Sequence, residues 1–190
     1  VASKEVSQLT DNTATVKGGL QFSPDSQQLL YSASMKPDNW RGFHATHVVI
    51  DLEGNEKIAE DDFGYLGAGH WIDNERIIFV GVYEEDATIG THPNLWIYNL
   101  PTSNLENRTE GLEMSLLSGL EGRSPSLGQW LPKIGISADK QSAYLQVQVG
   151  GDVSIYKIAL IGDTSAEAVI RGERACYLLD MVNDSLLFSV

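Results

Sequence analysis

The fold is decided by a phrase that the chain repeats, first as FSPDSQQLLY at residues 22–31. The phrase returns as WIDNERIIF at 71–79, as ISADKQSAYL at 136–145 and, shortened, as MVNDSLLF at 181–188. Each copy runs from an apolar residue through an Asp or Asn turn into a second apolar stretch. Self-similarity at a period of about 40 to 50 residues is typical of a repeat architecture.

A second phrase alternates with the first. Asp25 and Asp73 are 48 residues apart, and so are Asp51 and Asn99, which means that the two phrases advance together. Each unit therefore contains at least a strand, a turn, a strand, a loop and a third strand. The copies of the second phrase are HVVIDLEG at 47–54, NLWIYNLP at 94–101 and VSIYKIAL at 153–160.

The strands of these units are apolar at consecutive positions, as in IIFV at 77–80 and LWIY at 95–98. A sheet with one face in water would instead alternate apolar and polar residues. A propeller blade is covered by a neighbour on each face, which removes the alternation. We therefore predict an all-β fold, a partial β-propeller of about three to four blades of antiparallel strands.

The repeats also predict where the units begin and end. The blade-like units are expected at about 11–54, 55–102, 121–163 and 164–190, with an insertion at about 103–135. The insertion has more apolar residues than a free loop needs, so we expect it to cover another blade, a further domain or a second subunit. Those residues are Leu112, Met114, Leu116, Leu117 and Leu120.

These residues carry a resemblance to a known family. FSPD at 22–25, and NLWIYNL at 94–100 followed by NRTEG at 107–111, resemble the PD40 repeat of TolB-like propellers. That repeat also builds the N-terminal propeller of the prolyl oligopeptidase family of serine peptidases. Within that family, GAGHW at 67–71 and the insertion segment that reaches Trp130 are most similar to the acylaminoacyl-peptidase branch. The resemblance covers nearly the whole chain.

The chain departs from that repeat after the turn aspartate, where the usual glycine is absent. Ser26, Asn74 and Lys140 occupy the three positions. Asn tolerates a left-handed backbone conformation, whereas Ser and Lys are less suited to it. We therefore expect the three turns to differ in type.

The resemblance implies a function as well as a fold. In the peptidase branch the propeller is non-catalytic, and it gates or docks peptide substrates for a separate α/β-hydrolase domain. The implied partners are therefore a hydrolase domain of the same parent chain and peptide substrates. The alternative is a TolB-like propeller that acts as a protein-binding scaffold with no enzymatic role. The parent sequence beyond Val190 would distinguish the two hypotheses.

Length suggests that the chain is part of a ring. A closed propeller has about four to eight blades of four strands each. The 190 residues supply three units and part of a fourth, and the chain begins at Val1 instead of Met, as expected of a fragment or a processed product. Uncovered blade faces and strand edges would favour a homo-oligomer.

Composition excludes several classes of partner. The formal net charge of −13 argues against nucleic acid, which is held by clustered Lys and Arg. No stretch approaches the roughly 18 apolar residues that a membrane-spanning helix needs, so no membrane partner is predicted. The single Cys176 cannot form an internal disulfide, which favours a reducing compartment and a cytoplasmic location. We expect Cys176 to be a buried, inert thiol.

The chain lacks the usual signature of a serine hydrolase. The nearest match to the Gly-x-Ser-x-Gly elbow is GRSPS at 122–126. There Ser126 replaces the second glycine, and Pro125 has no N–H to donate to an oxyanion. No catalytic residue is therefore predicted.

Cofactor and metal sites are not predicted either. His44 and His47 are three residues apart, and in an extended segment such residues face opposite sides. Four histidines without a Cys pair argue against a zinc site. The acidic clusters at 60–62 and 84–86 lack the ligand spacing of a calcium loop.

Two polar side chains are candidates for a channel or a domain interface. These are Arg41, in NWRGFH at 39–44, and His70, in GHW at 69–71. Loops between propeller strands commonly carry function. The alternative interpretation is that both side chains pack under neighbouring loops.

We expect the purified chain to hydrolyse neither acyl-amino-acid nor dipeptidyl chromogenic substrates, because it has no nucleophile, base and oxyanion donor in a recognisable arrangement. The rate of chromophore release, with and without a serine-hydrolase inhibitor, is the measurement. An inhibitor-sensitive rate that co-purifies with the chain would contradict this expectation.

Overall fold

The regular structure of this chain consists of β-strands. A computed structural model describes residues 6, 8–10, 15–34, 45–83, 91–116, 133–171 and 175–190. Within these residues there are fourteen strands and no helix. The strands form three antiparallel sheets of eight, four and two strands. The all-β class predicted from the repeats is therefore confirmed.

The eight-stranded sheet contains the first two repeat units. The first unit consists of β1 (Thr15–Phe22), β2 (Gln28–Ser34), β3 (Ala45–Asp51) and the beginning of β4 (Glu56–Leu66). The second consists of the end of β4 with β5 (His70–Trp71), β6 (Arg76–Tyr83), β7 (Asn94–Asn99) and β8 (Asn104–Asn107). Because β4 pairs with β3 at its beginning and with β6 at its end, it belongs to both units.

The remaining two sheets are the third unit and the described part of a fourth. The third consists of β9 (Gly135–Ile136), β10 (Ser142–Val149), β11 (Asp152–Ala159) and β12 (Ala166–Ile170). The fourth consists of β13 (Tyr177–Val182) and β14 (Ser185–Ser189). Within each unit, strands that follow each other in sequence also pair in space, except that β4 and β5 both pair with β6 and not with each other. This is the up-and-down arrangement of a propeller blade.

Strand pairing shifts two features relative to the ranges expected from the sequence. Strand β4 begins just after the expected boundary at 54/55, yet its first residues pair with β3 of the first unit. Strand β8 lies inside the range of the expected insertion, because Asn104 to Asn107 pair with β7. Residues 117–132 of the insertion, including Ser126 and Trp130, lie outside the described residues.

The central strands of the second unit bury side chains on both faces. In β6, Ile77 and Phe79 pack into a core shared with the first unit, whereas Ile78 and Val80 pack into a core shared with the third. All four side chains are at most 1% exposed. Leu116, from the described beginning of the insertion, is fully buried in the second of these cores. The two-sided burial is the physical reason why these strands do not alternate.

A buried arginine connects the outer strand of the second unit with the end of β11 in the third. The guanidinium of Arg108, which follows β8, is 3% exposed. Its Nε donates a hydrogen bond to the Ala159 carbonyl at 3.0 Å, and its Nη2 donates to the Gly162 carbonyl at 3.0 Å. A third group, Glu106, pairs with Nη1. A buried guanidinium is tolerated when its donors are satisfied in this way.

A lysine occupies a comparable position between the first and second units. The Nζ of Lys57, in β4, donates to the Leu100 carbonyl at the end of β7. The same Nζ lies 5.9 Å from the centre of the Tyr98 ring. Both connections join the outer strand of one unit to the end of the next-to-outer strand in the following unit. The first runs from β4 to the end of β7, and the second runs from β8 to the end of β11.

The turns after the inner strands repeat in hydrogen-bond detail in the first and third units. The Ser23 hydroxyl donates to Asp25 at 2.7 Å and accepts from the Gln28 N–H at 2.9 Å. The Ser137 hydroxyl makes the same two bonds, to Asp139 at 2.6 Å and from the Ser142 N–H at 2.9 Å. These hydroxyl donors lower the pKa of each aspartate.

The backbone conformations of the turns reverse what the residue types suggest. Ser26 and Lys140 adopt left-handed φ values of 61° and 60°, whereas Asn74 is not among the residues with positive φ. The turn of the second unit is one residue shorter, because Ile72 bonds Arg76 across it, where Ser23 bonds Gln28. The first and third turns are thus alike, with Ser26 and Lys140 in the strained position, and only the second turn differs in type.

We expect Ser26→Gly and Lys140→Gly each to raise the free energy of unfolding by about 0.5–1 kcal/mol. A non-glycine residue in the left-handed region costs about 1–2 kcal/mol, and the extra freedom of glycine in the unfolded chain offsets part of the gain. The midpoint of urea unfolding is the measurement.

The matched control is Asn74→Gly. It relieves no left-handed strain and removes the amide oxygen that accepts a hydrogen bond from the Asp25 N–H at 3.1 Å. It should therefore lower the midpoint. The strain argument fails if the two test variants behave like this control.

Candidate functional site

The inner strands of the units line a common cavity of about 230 Å³. Residues from β1, β5, β9 and β13, or from segments directly next to them, contribute to it, so we call it the axial cavity. Its volume is below the roughly 300–1,000 Å³ of typical small-molecule sites. Six of its lining residues give the cavity its chemical character: Gln21, His70, Trp71, Lys133, Asp180 and Met181.

His70 is held at the cavity by its place in β5. Its backbone pairs with Ile78, and its ring Nδ1 lies 3.3 Å from Gln21 Nε2. Since an amide nitrogen only donates, Nδ1 must accept, and the ring proton is on Nε2. Burial, and then the nearby charge of Lys133, lower the pKa of His70. At neutral pH, His70 therefore presents an uncharged ring with one N–H donor.

Lys133 and Asp180 form the charged part of the cavity. Lys133 Nζ donates to the Leu179 carbonyl at 2.7 Å and to Asp180 Oδ1 at 3.1 Å. The hydrogen bond from Lys133 is the main cause that lowers the pKa of Asp180. Both side chains remain partly exposed, at 42% and 55%, so their charges stay available to a ligand.

A close approach of two inner strands shapes one side of the cavity. A Cβ on Gly135, in β9, would lie 2.8 Å from the sulfur of Met181 and 2.9 Å from its Cβ. Such contacts are too short for any side chain, so only glycine allows β9 and β13 to approach this closely.

His47 lies between the first two units. It is 1% exposed, its Nδ1 is 3.2 Å from the Ser32 hydroxyl, and its ring makes an edge contact with Phe79 at 4.7 Å between centroids. Within the described residues its Nε2 has no hydrogen-bond partner. Burial, and then the proximity of His70, lower the pKa of His47 to about 3.

Gly69 explains part of the GAGHW sequence. A Cβ at this position would lie 2.9 Å from Leu30 and 3.1 Å from the His47 ring. A glycine is therefore needed where the chain passes over His47 to enter β5. His70 comes next in the chain and is thereby placed at the cavity.

The candidate residues from the sequence differ in where the structure places them. His70 lines the axial cavity, although its role at a channel or interface stays a prediction. Arg41 and His44 lie outside the described residues. Cys176 is buried, at 2% exposed. Across the described ranges, no three His, Cys, Asp or Glu side chains are grouped closely enough to hold a metal ion.

The structure also has no helix, in the part it describes, with the length and apolar character to cross a bilayer.

Comparison with known proteins identifies the architecture. No protein-family model matches the sequence, and no curated protein matches it. TolB from Acinetobacter baumannii matches the structure with a TM-score of 0.58 and 14% identity, over 89% of this chain and 35% of that one. Oligogalacturonate lyase from Vibrio parahaemolyticus matches with a TM-score of 0.59 and 16% identity, over 89% and 46%. The fold is a partial β-propeller.

These matches confirm the fold expected from the repeats. The propeller chain spans between about a third and half of the length of the first structures it matches. Acylaminoacyl peptidase from Pyrococcus horikoshii matches with a TM-score of 0.38 and 14% identity, over 86% of this chain and 34% of that one. A likeness of this size carries no argument for a peptidase parent.

We expect the propeller to lose stability as the pH falls below 6.5. His47 has a pKa of 6.5 when unfolded and about 3 when folded, so the unfolded state binds the proton first. The stabilisation is complete above pH 6.5 and declines by up to about 1.4 kcal/mol per pH unit until pH 3. His70, whose pKa is also lowered, acts in the same direction.

His47→Leu should flatten this dependence between pH 6.5 and about 5, where most carboxylates are still ionised. His92→Gln, at an exposed position, is the control and should keep the slope. Urea unfolding at a series of pH values gives both slopes. Equal slopes for wild type and His47→Leu would exclude His47 as the cause.

Proposed function

We propose that this chain is a non-catalytic binding module whose axial cavity docks an extended peptide segment. The supporting observation is the composition of the cavity, in which the partly exposed Lys133–Asp180 pair lies beside the apolar surfaces of Trp71 and Met181. A volume of about 230 Å³ suits one or two side chains of a peptide better than a complete small-molecule ligand.

The charge of the chain favours a cationic peptide. A formal net charge of −13 draws positively charged segments toward the surface. At the cavity, Asp180 is more exposed than Lys133 and is the carboxylate that such a segment would meet. The same charge disfavours nucleic acid, and we propose no nucleic-acid or membrane partner.

The neighbours of His70 support a binding role over a catalytic one. Its ring Nδ1 accepts from the amide of Gln21, whereas a nucleophile–base pair would need a hydroxyl or thiol there. Among the described lining residues of the axial cavity there is no Ser, Thr or Cys.

The second candidate is the propeller portion of an acylaminoacyl-peptidase-like serine peptidase. The observation that favours it is the GAGHW sequence at 67–71, in which Gly69 is required by packing and places His70 at the cavity. In this version the docked peptides are substrates, and their partner is a hydrolase domain of the same parent chain. A protein-binding scaffold of the TolB kind needs no such domain.

The proposal also includes a cytoplasmic location and self-association. The single cysteine, Cys176, is buried, which is compatible with a reducing compartment. Exposed apolar side chains on the fourth unit, such as Val182 and Leu187 at 61% and 60%, would favour a homo-oligomer.

We expect a fluorescein-labelled Lys-Ala repeat peptide to bind more tightly than its Glu-Ala counterpart, and Asp180→Asn to weaken the binding about fivefold. That factor corresponds to one partly exposed charge pair of up to about 1 kcal/mol. Fluorescence anisotropy at low salt is the measurement, since salt screens such contacts.

Asp163→Asn is the matched control, because Asp163 is exposed in a turn of the third unit and does not line the axial cavity. It should leave the affinity nearly unchanged. Equal binding of the two peptides, or equal losses in the two variants, would reject the axial cavity as the docking site.

A further inference from the structure

A second cleft opens where the outer part of the second unit faces the third. It has a volume of about 340 Å³ and shares no lining residue with the axial cavity. Strands β6, β7 and β8 form its floor, and the turn after β11 forms its wall. We call it the seam cleft.

The floor of the seam cleft carries a row of polar side chains. Arg76 pairs with Asn99 across β6 and β7, and Asn99 pairs with Asn104 across β7 and β8. Directly paired residues place their side chains on the same face, about 4.5–5.5 Å apart. The next row on that face consists of Ile97 and Glu106, which also pair directly.

The wall is apolar and firmly placed. Leu160, Ile161 and Gly162 contribute to it, and the Ile161 side chain is 56% exposed. The hydrogen bonds from Arg108 to the Ala159 and Gly162 carbonyls hold this turn against the second unit. Polar groups on the floor therefore face an apolar surface across the cleft.

The charges in the cleft are already balanced. Arg76 donates from Nε and Nη2 to Asp73 Oδ2, at 2.9 and 2.7 Å. Arg108 pairs with Glu106. Each guanidinium is thus neutralised by its own carboxylate, which disfavours an ionic ligand.

Hydrogen-bonding capacity nevertheless remains on the floor. The Asn104 amide has no hydrogen bond to the described residues, and Asn99 uses only its oxygen, toward Thr102. Asn104 therefore offers two donors and an acceptor, and Asn99 offers two donors. The two amide groups are thus neutral and planar, and together they offer both donors and an acceptor.

We propose that the seam cleft binds a neutral saccharide. A sugar ring presents hydroxyl groups, which both donate and accept, along its edge and C–H groups on its faces. The amides of Asn99 and Asn104 match the edge, and the exposed side chain of Ile161 matches a face. The cleft volume lies in the range of small-ligand sites.

The test is calorimetric titration of the chain with maltose, with galacturonic acid as the charged counterpart. Saturable binding of maltose in preference to the acid is expected. Asn104→Ala should weaken maltose binding about tenfold, as expected when a ligand loses its hydrogen-bond partners. Because Asn104 is exposed, the variant is expected to fold, and an unchanged melting temperature verifies this.

Two controls separate the sites. Gln148→Ala removes an amide at the hairpin end of β10 and should leave maltose binding unchanged. Asp180→Asn should also leave it unchanged, so that failure of the peptide-docking proposal and failure of this one are distinguishable. No saturable maltose binding, a preference for galacturonic acid, or full binding by Asn104→Ala would overturn the inference.

Discussion

The structure depends on the burial of both faces of the repeat sheets that lie between two neighbours. Between the second and third units, Ile78 and Val80 of β6 pack with Leu145 and Val147 of β10, and all four side chains are at most 1% exposed. A four-stranded sheet alone would leave these side chains in water, so each unit is stabilised by its neighbours. Consecutive apolar residues are the sequence consequence of this arrangement.

The polar groups of the structure lie where this burial ends. At the outer strands, Lys57 and Arg108 satisfy carbonyl groups of the next unit. At the inner turns, Asn74 accepts from the Asp25 N–H. Apolar packing alone hardly fixes how two units are oriented. These hydrogen bonds supply the missing geometric specificity. The axial cavity and the seam cleft lie at the margins of the same interfaces, where side chains no longer fill the space between units.

The candidate site was only partly accessible from the sequence. His70 could be singled out because it stands between a glycine and a tryptophan at the start of a strand. Lys133 and Asp180 could not, because they are 47 residues apart and meet only when the third and fourth units pack together. In the sequence, Arg108 resembles any charged residue of a loop. No neighbouring residue in the sequence indicates that its guanidinium is buried.

The sequence by itself determined the repeat, the strands and the two-sided burial, because these arise from local patterns of apolar residues and turns. Only the tertiary structure decided that β4 serves two units and that Ser26, not Asn74, takes the left-handed conformation. Turn length and strand sharing depend on how neighbouring units fit together. The energy of that fit exceeds the small conformational preferences of single residues, and it is not encoded at any one position.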